Sequence, residues 1–124
     1  MKKLVAGPLL LIIALFIIPG CYNDNEYDLY PFSAGCDSSS VTYAQTIAPI
    51  MESSCNKCHS TIVASGNVVT DSYDGLSIVA KNGKLWGGVN AEPGFVPMPN
   101  EGSKLSSCDL GKIKKWINAG SPNN

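Results

Sequence analysis

The chain has no arginine and one histidine, His59. Without arginine it lacks the planar fork that grips phosphates and carboxylates in bidentate fashion. It has no basic stripe either, since nine lysines stand against ten acidic residues and the formal net charge is −1. A nucleic-acid partner is therefore not expected. Its apolar run, Leu9–Ile18, is ten residues long, whereas a transmembrane helix needs ~20. No alternation of strand and helix patterns is present, which argues against a βαβ-built enzyme. At 124 residues there is room for one small domain. The core of such a domain is modest, so a cross-link or a bound group would add needed stability.

Cysteine, by contrast, is abundant, with five residues in this short chain. Lys2 and Lys3 precede the apolar run, and the run has the length of a signal-peptide core. It ends in Ile18-Pro19-Gly20-Cys21, which resembles a bacterial lipobox. The resemblance implies that residues 1–20 are a lipoprotein signal peptide and that Cys21 becomes the lipidated first residue. Acyl chains contribute ~0.8 kcal/mol per buried CH2, so several would anchor the protein to a membrane. The alternative is an ordinary signal peptide with Cys21 as a spare thiol; Pro19 is the departure from the usual pattern. Either way the chain is expected to be exported into an oxidising compartment. The lipobox places it in the cell envelope, on the periplasmic or cell-surface side. Tyr22 stands where an inner-membrane lipoprotein commonly has Asp, which favours the outer membrane. Residues 21–35, with Asp24, Glu26 and Asp28, read as an acidic flexible tether. The folded domain is expected over residues 36–124.

The chemistry centres on Cys55-Asn56-Lys57-Cys58-His59. This is C-x-x-C-H, the attachment signature for haem c. Two thiols at this spacing can form thioethers with the two vinyl groups on one haem edge. The adjoining imidazole is then carried beneath the iron. Two other chemistries use the same residue types. A structural zinc site would take these three ligands plus Cys36 or Cys108, though no second C-x-x-C exists. A thiol–disulfide pair would want its C-x-x-C after a strand, within a βαβ pattern that the chain does not show.

Helical signals surround the pentad. Ser40 or Thr42 can cap a helix whose apolar face is Tyr43, Ile47, Ile50 and Met51, with Ser54 on the same face. Pro49 either opens a shorter helix or kinks a longer one. Ser60–Asn67 reads as a polar loop. Asp71 or Ser72 can cap a helix carrying Tyr73, Leu76, Val79 and Ala80, which Asn82-Gly83 ends. Gly87-Gly88 is expected to make a tight turn or a close approach to a flat cofactor. Residues 91–99 form a proline-stiffened loop. Ser106-Ser107-Cys108-Asp109 is a capping box opening a last helix with Leu110, Ile113, Trp116 and Ile117 on one face. The fold class is all-α. Cys36 precedes the first helix and Cys108 begins the last. If those helices pack together, the two can form a disulfide, the alternative being two free thiols.

With one histidine, bis-His ligation within the chain is excluded. Past the signal segment the methionines are Met51 and Met98. Met51 lies on the helix entering the signature, on the wrong side for the distal face. That leaves Met98, framed by Pro97 and Pro99, or an open site.

Taken in order, several segments resemble a small class I-type cytochrome c, most of all the short monohaem lipoprotein cytochromes of bacteria. They are Tyr43-Ala-Gln-Thr-Ile-Ala-Pro-Ile50, Cys55–His59, Gly83-Lys84-Leu85, Pro97-Met98-Pro99, Lys104-Leu105-Ser106, Ile113-Lys-Lys-Trp-Ile117 and Ala119-Gly120. The resemblance spans about residues 36–122. It implies a few short helices wrapped around one covalent haem, His59 and Met98 as axial ligands, and electron transfer with redox partner proteins rather than enzymatic turnover. The rivals are a haem-based ligand sensor or peroxidase-like protein with an open distal site, and a zinc-stabilised interaction module. One departure stands out: many relatives of this kind orient the proximal histidine through the carbonyl of a nearby proline, and no proline occurs between His59 and Pro93. A carbonyl within Ser60–Asn67 is expected to replace it. Without arginine, the haem carboxylates must use other donors; Trp86, Lys84 and Asn82 are candidates, unless Trp86 is simply core.

Overall fold

The computed structural model describes residues 36–100 and 102–124. The expected signal peptide (1–20), lipidated Cys21 and tether (21–35) lie outside the described residues. The described residues are helical with no strand, so the all-α class is observed. None of these helices is long and apolar enough to cross a membrane.

Thr42 opens the first helical segment, its hydroxyl accepting from the Gln45 N–H at 3.2 Å. The chain then makes one wide π-helical turn, Tyr43–Ile47, before helix α1, Ala48–Ser54. Pro49 sits in the first turn of α1, where its missing N–H costs nothing. Pro49 thus starts a short helix and does not kink a long one. Ile47, Ile50 and Met51 are buried, and Ile47 and Met51 are fully so. Cys55 leaves helical geometry (φ −124°, ψ −41°), and α2, Asn56–His59, begins after it.

Helix α3, Tyr73–Lys81, is capped by Ser72, whose hydroxyl accepts from the Gly75 N–H at 3.3 Å. Asp71, the other candidate cap, instead accepts from the Thr61 N–H and hydroxyl, at 2.8 and 2.6 Å. These bonds hold the Asp71 carboxyl below its ordinary pKa and tie the loop after α2 to the start of α3. Gly83 turns the chain with φ +81°. Helix α4 follows at once, Lys84–Val89, with Leu85 through Val89 all buried. Gly87-Gly88 therefore lies inside a helix and makes no turn. Two glycines argue against a helix by propensity, but packing of Leu85, Trp86 and Val89 outweighs that cost. Helix α5, Ser107–Asn118, opens on the Ser106 box: the Asp109 N–H donates to Ser106 Oγ at 3.0 Å, and that hydroxyl donates to Asp109 Oδ2 at 2.7 Å.

The core joins the π-helical turn, α1, α3 and α5 through Ile47, Met51, Leu76, Ile113 and Trp116, each at most 1 % exposed, and Leu85, Trp86 and Val89 of α4 pack into the same cluster. Tyr43 meets Tyr73 edge-on at 5.2 Å and lies 6.1 Å from Trp116. The polar tips of this aromatic cluster bind the chain's end: Trp116 Nε1–H donates to Pro122 O and the Tyr73 hydroxyl to Ser121 O, both at 2.9 Å. Asn124 accepts from the Tyr43 and Ala44 N–H groups, at 2.8 and 2.9 Å, satisfying donors at the first helical turn. The start of the domain is fastened to the same place. Cys36 and Cys108 form a disulfide with Cα atoms 5.7 Å apart, and Lys115 Nζ donates to Ser38 O at 2.6 Å.

The disulfide closes a loop across 72 positions of sequence. Chain-entropy estimates for such a loop give ~4 kcal/mol, and removed native disulfides typically cost ~2–4 kcal/mol. Cys36→Ser/Cys108→Ser is expected to lower the melting temperature by at least ~8 °C. A thermal melt with and without reductant measures this; an unchanged midpoint would show that the bond does not hold the fold.

Candidate functional site

A cavity of about 460 Å³ opens between α2, α3, α4 and the 91–98 loop. Its size falls in the ~300–1,000 Å³ range of small-molecule and cofactor sites. Its walls are mostly apolar, including Val68, Val79, Leu85, Val89, Phe95 and Val96. Three of the residues singled out for their chemistry line it: Cys55, His59 and Met98. They come from different elements, with Cys55 and His59 at the α1–α2 junction and Met98 on the loop that follows α4.

His59 is carried by α2, whose four residues follow the break at Cys55. The Cys58 and His59 N–H groups both donate back to Cys55 O, at 3.1 and 3.0 Å, so the pentad is one compact turn. His59 Nδ1 lies 3.0 Å from Ser65 O. A carbonyl can only accept, so Nδ1 donates the hydrogen of this bond, and in the neutral tautomer that fits it the lone pair is on Nε2. This is a backbone carbonyl from Ser60–Asn67, the segment in which proline is missing. The loop reaches this position through three left-handed residues, Ala64 (φ +42°), Gly66 (φ +64°) and Asn67 (φ +56°). Ala64 is the costliest, since glycine and, to a lesser degree, asparagine tolerate this region, whereas other residues store ~1–3 kcal/mol of strain there.

Thr70, only 4 % exposed, binds the other side of the turn. Its N–H donates to His59 O at 2.6 Å and its hydroxyl to Asn56 Oδ1 at 2.8 Å. Sequence reasoning missed Thr70, which carries no motif; its role depends on a contact 11 residues away.

The two free thiols differ in environment. Cys55 is half-buried and lines the cavity, while Cys58 is exposed and lies outside the lining. Burial pushes the Cys55 thiol up to about 11. Met98 is held by its backbone, its N–H donating to Gly88 O at 2.9 Å. Met51 is fully buried in the core and does not reach the cavity. Trp86 is 8 % exposed, belongs to the core cluster and lies outside the cavity lining, with Lys114 Nζ 4.2 Å above its ring. Lys84 is the one charged side chain of the lining. Asn82 caps the Lys84 N–H through Oδ1 at 3.0 Å. Among the described residues no group of three or more His, Cys, Asp and Glu is gathered as a metal-binding cluster.

The residues present suit a flat, largely apolar, iron-centred group. An imidazole, a thioether and a thiol share one apolar cavity, and the glycine wall at Gly88 leaves room beside Met98. Compared with family models, curated proteins and solved structures, the chain matches none.

In protein whose signature thiols are free, iodoacetamide is expected to modify Cys58 well before Cys55 at pH 8. Only about one Cys55 thiol in a thousand is then the reactive thiolate. Peptide mapping by mass spectrometry reads the order, and equal rates would contradict the burial of Cys55. The same shift makes stability fall with rising pH. An unfolded thiol ionises near 9 and the folded one near 11, so between these values the folded chain holds more protons than the unfolded one.

Proposed function

We propose that residues 36–124 form a small monohaem c-type cytochrome with the cytochrome c-like fold, acting as an electron carrier and not as an enzyme. Cys55 and Cys58 would hold the haem through thioethers, and His59 and Met98 would bind its iron. The observation that carries this reading is the convergence of Cys55, His59 and Met98 on one apolar cavity, although Met98 is 39 positions beyond His59 in sequence. The bound haem supplies a one-electron Fe(II)/Fe(III) couple.

The chain's own residues set the terms of that couple. Ser65 O holds the hydrogen on His59 Nδ1, which would leave Nε2 to bind the metal. Thr70 holds the His59 carbonyl and limits rotation of the pentad. The apolar walls would limit water at the iron and favour the less charged ferrous state. A thioether ligand raises the potential relative to a second imidazole. Lys84, at the cavity rim, offers the positive charge that the haem carboxylates need in a chain without arginine. With Cys36 and Cys108 bonded to each other, a four-ligand zinc site would have to find its last ligand elsewhere. Export, lipidation at Cys21, membrane anchoring in the cell envelope and exchange of electrons with redox partner proteins belong to the same proposal. They rest on the lipobox-like Ile18–Cys21 and on the c-type signature.

Purified holoprotein tests the reading. Haem is expected to resist acid–acetone extraction, and the ferric protein to show the red charge-transfer band of methionine-ligated haem. Carbon monoxide should bind the ferrous protein slowly or not at all. Met98→Ala should abolish the band and admit carbon monoxide. Extractable haem would sink the thioether assignment. A wild-type protein without the band that binds carbon monoxide readily would point to the sensor or peroxidase-like alternative.

A further inference from the structure

We infer that Gly87 is a positioning residue for Met98: its bare Cα is the seat on which Phe95 rests, and that seat closes the 91–98 loop over the cavity. The inference rests on the reading of Met98 as an axial ligand. A Cβ built on Gly87 would stand 2.5 Å from both Phe95 Cγ and Cδ2 and 2.6 Å from Cε2. Such contacts are far inside van der Waals distance. Because Cγ is the first ring atom, turning the ring about its own axis cannot relieve the clash. The side chain must change its first rotamer, or the backbone must move.

The backbone has little freedom to move alone. The Glu92 N–H donates to Gly87 O at 2.9 Å, and the Met98 N–H donates to Gly88 O at 2.9 Å. Both ends of the loop are thus bonded to the glycine pair, and Phe95 is the packed contact between them. Phe95 is joined to Met98 through Val96 and Pro97, and Pro97 has a fixed φ. A shift at Phe95 is therefore passed to Met98. At Gly88 the demand is smaller, since a Cβ there would meet Met98 Cγ at 3.4 Å. Gly87 sits inside α4, where alanine is otherwise the better helix former. A purely helical role would thus make Gly87→Ala neutral or stabilising, and a seat for Phe95 makes it harmful to the ligand.

The test is a double-mutant cycle on holoprotein with Gly87→Ala, Phe95→Ala and the pair. The readouts are the red charge-transfer band, the carbon monoxide association rate and the reduction potential. Gly87→Ala is expected to weaken the band, speed carbon monoxide binding at least tenfold and lower the potential. In the Phe95→Ala background the same substitution should change the rate less than twofold, because the ring it would strike is gone. If Gly87→Ala yields no holoprotein but the pair does, the steric assignment is equally supported. A Gly87→Ala protein with the wild-type band and rate overturns the inference, as does an equal effect in both backgrounds or failure of both to mature. If wild type itself lacks the band, the axial reading has failed before any variant is compared.

Discussion

An apolar cavity of about 460 Å³ in a domain this small imposes the constraint that the rest of the structure meets. Walls facing a cavity cannot support one another across it, so each must be held from behind. Val79 of α3 and Leu85 and Val89 of α4 are both cavity wall and core, backed by the same cluster that buries Ile47, Met51, Ile113 and Trp116. Behind that cluster the two ends of the domain are fastened together. The Cys36–Cys108 bond, the Lys115 contact to Ser38 and the capping of the first turn by Asn124 all act at this seam. A chain with so little core gains stability from restricting its ends as well as from burying side chains.

The groups that face the cavity are placed mainly by backbone hydrogen bonds. Ser65 O orients His59, the Thr70 N–H holds the His59 carbonyl, and Gly88 O holds Met98. Each placing group lies in a segment poor in regular structure or in a short helix. Such segments hold position only when their polar groups are fully used. The bonds from Thr61 to Asp71 serve the same purpose for the loop that delivers Ser65. Two of the placing groups flank the pentad and one flanks the proline-framed methionine. The proposed axial pair is thus supported from both sides of the cavity by independent parts of the chain.

Much of this was legible before the structure. The helix over Tyr73–Lys81 and the one over Ser107–Asn118 follow from their apolar spacing and their caps, Ser72 and Ser106. The place of Pro49 in a first turn was one of two readings, and sterics selected it. The helix Lys84–Val89 was not legible, because Gly87-Gly88 signals a turn while tertiary packing makes it a helix. Thr70 was hidden too, whereas for Ser65 the segment Ser60–Asn67 was legible and only the residue was not. Neither stands in a motif, and the Ser65 contribution is a carbonyl, which every residue possesses.

The sequence alone determined the chemistry on offer: one imidazole, a C-x-x-C pair beside it, a single well-framed methionine, no arginine, and one cysteine before the first helix with another opening the last. Those are matters of residue type and spacing, which a chain carries whether folded or not. The tertiary structure decided which of these groups meet. It brought Cys55, His59 and Met98 to one cavity, sent Met51 and Trp86 to the core and left Cys58 exposed. It also turned two glycines into a flat wall for the methionine loop. Those outcomes depend on contacts between residues distant in sequence, and only the packed chain specifies them.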